Sequence, residues 1–253
     1  MSERALFDYL LVGWLVVAAA MFVVLRFVAA PYGRHARAGW GPTLDPTVAW
    51  IVMEAPAPLG MALMFALGDR TGSTTAIVFL LLWELHYVHR AFVFPLRRTG
   101  GGKRTPLLIV AMALVFNCGN AWLIGRWLFA LGPDRAASWL LDPRFLVGLV
   151  LFLGGLLVNV HADEVLRRLR ARDPSKYGRP DGGLYRLVSC PNYLGEVVEW
   201  CGFALLTFSL PGLVFAIWTA ANLVPRARSH HEWYRRTFPD YPEDRRAIIP
   251  FVW

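Results

Sequence analysis

Apolar stretches long enough to cross a bilayer recur along this chain, and they leave few architectures open. Between Ala5 and Ala29 only Asp8 and Arg26 carry charge. A helix needs about 20 apolar residues to span a hydrocarbon core. Seven such runs are read, near 5–29, 46–67, 74–95, 106–131, 145–165, 193–210 and 212–227. The first is too long for a signal-peptide core and lacks a small-residue cleavage site, so it is read as a retained helix. Pro56 and Pro58 break the second run, and Ser209-Leu210-Pro211-Gly212 turns the sixth into the seventh. The expected fold is all-α: a polytopic membrane protein with seven transmembrane helices in one bundle, a single domain over 1–253. A composition 56% hydrophobic and only 17% charged agrees with it.

The basic residues orient the bundle. Seven spans put Arg34 and Arg37, then Arg97, Arg98, Lys103 and Arg104, then the group from Arg167 to Arg186, on one side with the tail from Arg226 to Arg246. The other side keeps Arg4, Arg70, Arg126, Arg135 and Arg144. The positive-inside rule then predicts a cytosolic C-terminus and a non-cytosolic N-terminus. A net charge of +8 is thus mostly orientation signal. A nucleic-acid partner is not expected, because the basic residues flank spans and form no separate basic domain. Cys118, Cys190 and Cys201 form no C-x-x-C pair and read as reduced. Two lysines against many arginines, with abundant Ala, Gly and Pro, suggest a GC-rich bacterial genome. The expected location is a bacterial inner membrane, or the endoplasmic reticulum membrane in a eukaryote.

Polar residues inside the apolar runs mark the chemistry. Glu54 stands alone in the second run, where a carboxylate costs about 2.5 kcal/mol or more to insert. The third run ends WELHYVHRAF, with Glu84, His86, Tyr87, His89 and Arg90; these cannot all face lipid. A bland reading makes this a helix end whose Arg90 reaches to the interface. Farther on, Asn159 and Asp163 lie i,i+4 on one helix face, which Arg167 and Arg170 extend, and Asn192 and Glu196 repeat the spacing. Two helices thus bring an amide and a carboxylate each to the same end of the membrane. Arginines suit phosphates; carboxylates and amides suit ribose hydroxyls. The alternative is an ion-pair network tying helix ends together.

Other chemistries fit less well. Six histidines are too few, and wrongly spaced, for the His boxes of membrane di-iron oxygenases. His230-His231 alone is a weak metal signal, and no metal is expected. TGGGKRT lacks the spacing of a phosphate-binding P-loop. No G-x-G-x-x-G follows a strand, so any dinucleotide binds without a Rossmann fold.

Several segments together resemble the steroid 5α-reductase family, most of all its type 2 member: GGLYRLVSCPNYLGEVVEWCGFALLTFSLP, HHEWYRRTFPDYP and AIIPF, with AWIVMEAP, HYVHRAFVFPL, CGN and YGRH upstream. The resemblance covers most of the chain and is weakest before Tyr32 and at 68–76. It implies NADPH-dependent reduction of the Δ4 double bond of 3-oxo-Δ4 steroids to 5α-reduced 3-oxo steroids. Carried over by motif, Glu54 and Tyr87 are the catalytic pair on the steroid carbonyl. Arg90, Asn159, Asp163, Arg170, Tyr177, Arg179, Asn192, Glu196, His230 and Tyr234 are the NADPH contacts. Trp50, Met53, Phe116 and Trp200, with Glu54 and Tyr87, line the steroid site. The substrate side falls mainly in spans one to four, the NADPH side in spans five to seven and the cytosolic loops. Steroid enters from the lipid, membrane lipids surround the bundle, and the protein is expected to be a monomer. Departures are Met53 in place of a Gln, Phe94 in place of a Tyr, and Gly178 between Tyr177 and Arg179.

The alternatives are a trans-2-enoyl-CoA or other enone reductase of the same superfamily, an S-adenosylmethionine-dependent isoprenylcysteine-type methyltransferase, suggested by PNYLGE and RSHHEW, and a sterol sensor or carrier. Glu54 is either a neutral second donor to the carbonyl or an ionised group that orients Tyr87.

Overall fold

The computed structural model describes residues 2–28, 39–97, 103–173 and 177–253. Arg34, Arg37, Arg98, Lys176 and the YGRH motif, used above, lie outside these. The described chain is helical apart from turns and loops, a two-residue antiparallel pairing of Thr43–Leu44 (β1) with Thr105–Pro106 (β2), and an isolated parallel bridge between Val188 and Arg246. The helices are α1 Glu3–Phe27, α2 Pro46–Glu54, α3 Pro56–Ala66, α4 Thr74–Val88, α5 Phe94–Arg97, α6 Leu107–Arg126, α7 Pro143–Arg172, α8 Pro191–Thr207 and α9 Leu210–Thr237. A wider turn, His89–Val93, joins α4 to α5.

Among the described residues, five segments are long and apolar enough to cross a membrane: Glu3–Phe27, Pro46–Ala66, Thr74–Arg97, Leu107–Leu131 and Pro143–Arg172. The chain is a multi-pass membrane protein, mostly helical. The sixth and seventh expected spans are the 17-residue α8 and the apolar first half of α9. Side chains in the aqueous sense are inverted: Val16, Leu67, Val115 and Val150 are exposed, as expected of a lipid-facing surface.

Local chemistry sets the helix boundaries. Pro56 and Pro58 have no N–H to donate, so the second run breaks into α2 and α3 directly after Glu54. Asp45, Ser73, Asp142 and Ser209 cap α2, α4, α7 and α9 by accepting backbone N–H groups. The hairpin between α8 and α9 turns one residue earlier than read from the sequence, with Phe208 in the left-handed conformation (φ 44°). Two helices outrun their apolar stretches. Past Glu164, α7 continues because Arg167 and Arg168 pair back with that carboxylate at i+3 and i+4. Beyond Pro225, α9 continues through the Arg228–Glu232 pair at 2.8 Å. The far end of α6 is closed by Arg70, whose guanidinium donates to the carbonyls of Leu128, Ala130, Gly132 and Pro133.

The most intimate packing joins α7 and α8. Gly148 and Gly155 face Gly202 and Gly195, each pair seven residues apart. A Cβ on Gly155 would stand 2.4 Å from the Glu199 nitrogen and 2.5 Å from the Gly195 oxygen; one on Gly202 would stand 2.4 Å from the Phe152 nitrogen. Backbone lies against backbone, the arrangement small residues permit between membrane helices. By contrast, the backbones of α4 and α8 barely approach one another. An aromatic cluster fills the space between them: Trp83, Tyr87, Trp200, Phe203 and Phe215.

The segment after α9 straps across the loop ahead of α8. Ser189 N–H donates to Arg246 O and Arg246 N–H to Leu187 O. Ion pairs cross the same gap, Arg179–Asp240 at 2.7 Å and Arg245–Asp181 at 3.5 Å. The Ser189 hydroxyl lies 2.6 Å from both Tyr241 Oη and His231 Nδ1. Cys118, Cys190 and Cys201 form no disulfide among the described residues, and the Cys190 thiol donates to Ala227 O at 3.9 Å.

Candidate active site

Glu54 ends α2 and points into the bundle beside α6. The Asn117 amide donates to Met53 O at 2.6 Å and reaches the Glu54 carboxylate at 3.5 Å. Asn117 was not singled out from the sequence, where it sits within an ordinary apolar run. On α4, Tyr87 is 4% exposed, its ring 4.6 Å from Trp83 and 5.6 Å from Trp200. No hydrogen bond joins Glu54 to Tyr87 among the described residues, yet the two lie within electrostatic range, together with Arg90 and Glu196.

Arg90 is the hinge of a second group. Its guanidinium lies 3.4 Å from Asp163 and 3.9 Å from Glu196. Asn192 donates to Asp163 at 3.0 Å; Asn159 donates to Asn192 O at 2.9 Å and to Glu196 at 3.4 Å. The structure therefore unites Arg90, Asn159, Asp163, Asn192 and Glu196. The glycine seam is the cause, since it presses the backbone of Asn159 against Gly195. Trp50 joins this group by donating to Arg90 O at 3.0 Å, with the guanidinium over its ring. Phe94 packs on the same ring at 5.2 Å.

The remaining expected residues distribute differently. Arg170 covers the Tyr177 ring at 4.9 Å, farther along α7. Arg167, expected to extend the Asp163 face, turns back to Glu164 instead. Arg179 donates to Asp240 in the strap. His230 meets the Tyr193 hydroxyl at 3.1 Å, and Tyr234 stacks flat on Tyr241 at 5.5 Å. Met53 packs with Ala49 and Val110. Phe116 lies among Trp14, Phe215 and Trp218, and Trp200 in the aromatic cluster beside Tyr87.

The donor set around Arg90 suits a nucleotide. One guanidinium, two amides and two carboxylates, all but the buried Asn159 partly exposed, offer donors to phosphate or amide oxygens and acceptors to ribose hydroxyls.

The chain is similar over its whole length to proteins already known. The description of the family "3-oxo-5-alpha-steroid 4-dehydrogenase" matches residues 103–253. Among curated relatives, the steroid 5-alpha-reductase DET2 of Gossypium hirsutum is 40% identical over 256 residues, covering 100% of this chain and 99% of the relative. The 3-oxo-5-alpha-steroid 4-dehydrogenase 1 of Bos taurus is 39% identical over 259 residues, covering 100% and 99%. The corresponding enzyme of Rattus norvegicus is 40% identical over 255 residues, covering 100% and 97%. These relatives are of the DET2 and type 1 kinds, which corrects the type 2 leaning drawn from the motifs.

Proposed function

The chain belongs to the 3-oxo-5-alpha-steroid 4-dehydrogenase family, and from that premise we propose that it reduces the Δ4 carbon–carbon double bond of 3-oxo-Δ4 steroids to 5α-reduced 3-oxo steroids. The observation that carries the reading is the juxtaposition of Glu54 and Tyr87 with the Arg90 group inside one bundle. An oxidoreductase of this family is consistent with a nicotinamide cofactor, and the arginine-rich end favours NADPH. Arg90, Asn159, Asp163, Asn192 and Glu196 would hold it, with Arg170 and Tyr177 beyond them. When bound, it supplies hydride to the β-carbon of the enone.

The chain's own residues act on the other end of the enone. Tyr87 O–H donates to the carbonyl oxygen as negative charge builds there. Glu54 is the second group at that oxygen, steadied by Asn117. In a dry site a preorganised donor contributes about 3–4 kcal/mol to the transition state. The α-carbon takes its proton from water or from groups linked to solvent. The surrounding rings, Trp83 and Trp200 above all, keep bulk water from the carbonyl.

Purified protein incubated with NADPH and a panel of 3-oxo-Δ4 steroids is expected to yield products two mass units heavier with 5α stereochemistry. No turnover of any of them would sink the reading. NADH is expected to serve poorly, because the 2′-phosphate gives arginine a further charged group to grip. Arg170→Ala is expected to raise the apparent NADPH constant more than it slows turnover at saturation; equal use of both cofactors by the unaltered protein would count against this assignment.

The membrane arrangement proposed with this function has seven spans, a cytosolic tail and a non-cytosolic N-terminus, in a bacterial inner membrane or an endoplasmic reticulum membrane. Steroid enters a monomer from the lipid, with no nucleic-acid partner. In sealed cells, an impermeant thiol reagent is expected to label cysteines placed at exposed Ser2 and Thr71, and to reach one at Glu243 only after permeabilisation. A protected residue 2 beside an open residue 71 would remove the seven-span arrangement.

A further inference from the structure

One buried polar pair takes no part in the proposed chemistry. His86 Nδ1 lies 2.8 Å from Glu199 Oε1, with side chains 4% and 0% exposed. The second Glu199 oxygen is buried without a hydrogen-bond partner among the described residues. Placing these groups in a bundle interior is costly, and packing alone would be served by apolar residues.

Position gives the pair a use. His86 precedes Tyr87 on α4, and its ring stands edge-on to Tyr87 at 4.8 Å and to Trp200 at 4.7 Å. Four residues on, Arg90 reaches Glu196, three residues before Glu199 on α8. Residue 86 faces 199 and residue 90 faces 196, so the two contacts are rungs of one ladder between antiparallel segments. The backbones of α4 and α8 barely approach, so these side chains, with the rings between them, set the relation of one helix to the other. Tyr87 lies beside the lower rung. Asn192 and Glu196, which belong to the opposite half, share α8 with Glu199.

We infer that His86 and Glu199 are positioning residues for the reduction: their rung fixes the register of α4 against α8, and so the place of the Tyr87 hydroxyl relative to the cofactor-holding residues. This rests on the reading of Tyr87 as the carbonyl donor. A register error of an ångström costs turnover while leaving each ligand's own contacts in place.

The test compares His86→Phe/Glu199→Met, Glu199→Met, Glu199→Gln and Tyr87→Phe. Measurements are thermal unfolding in detergent, NADPH affinity by tryptophan fluorescence, and kcat and KM with progesterone as the 3-oxo-Δ4 probe. The double variant replaces a buried polar pair by apolar groups, a change that proteins often accept without loss of stability. It is expected to fold with unchanged NADPH affinity and KM, and to lose kcat by about tenfold to hundredfold. Glu199→Gln keeps an acceptor for His86 Nδ1–H and is expected to recover most of what Glu199→Met loses. Wild-type kcat in the folded double variant, or a loss confined to KM, overturns the inference. So does a folded Glu199→Gln as slow as Glu199→Met. Tyr87→Phe separates the two readings: if it is impaired while the double variant is normal, only the positioning role fails, and if it is fully active the carbonyl reading fails.

Discussion

Tyr87→Phe is expected to slow turnover by about a hundredfold or more, the scale of one lost donor at a developing oxyanion. The substitution keeps the ring that packs on Trp83 and Trp200, so folding and NADPH affinity should hold. Glu54 decides the finer mechanism. As a neutral donor it is partly replaced by the amide of Glu54→Gln, which then keeps some activity while Glu54→Ala keeps almost none. As an ionised group orienting Tyr87 it has no such substitute, and Gln and Ala are equally slow. The Tyr87→Phe/Glu54→Ala double variant should lose little beyond the worse single one, because groups acting as a unit are not additive. Steady-state kinetics of the four proteins reads this out, and full activity in folded Glu54→Ala would remove both residues from the chemistry.

Gly155→Val is expected to leave little folded protein. Even a methyl group at this position would overlap the backbone of Gly195 and Glu199, and no side-chain rotation relieves a clash with main chain. Overpacking that forces the backbone to shift costs about 1–3 kcal/mol and occasionally more, a large fraction of the stability of a typical domain. Separating α7 from α8 also parts Asn159 from Glu196 and Asn192. The milder Gly154→Ala is the control: its neighbour position is open, with nothing within 4 Å, and it should unfold at the wild-type temperature. A Gly155→Val protein as abundant and as heat-stable as the control would show that the seam tolerates separation.

The sequence was most informative where composition changes sharply. Apolar runs located the five segments that are long and apolar enough to cross a membrane among the described residues, and Glu54 announced itself as a carboxylate among apolar neighbours. The i,i+4 spacing of Asn159 with Asp163 and of Asn192 with Glu196 led to residues that do converge. Asn117 was missed because an amide within an apolar helix carries little signal until its neighbour across the bundle is known. Glu199 hid behind Glu196, the residue that fitted the visible pattern. Arg167 was assigned to the face of Asp163, yet its long side chain reaches Glu164 equally well, and spacing alone does not choose between them. Helices α7 and α9 outlast their apolar runs for a related reason: apolar runs report where lipid ends, whereas ion pairs one turn apart carry a helix onward. The seven-residue spacing of Gly148 with Gly155 and of Gly195 with Gly202 was present throughout, but it becomes meaningful only when two helices are laid side by side.

The strap over the loop ahead of α8 bears on how the molecule is born. A ribosome delivers α4, α7 and α8 before residues 240–247 exist, and domains fold in the order of their synthesis. The bonds from Ser189, Arg179 and Asp181 to that late segment therefore form after every long helix has already been handed to the membrane. A nascent product halted at the end of α9 has the helices and the glycine seam, but an unfastened entrance to α8. Insertion of the helices and fastening of the loop ahead of α8 are thus separate events in time, the second awaiting a short polar segment rather than any helix.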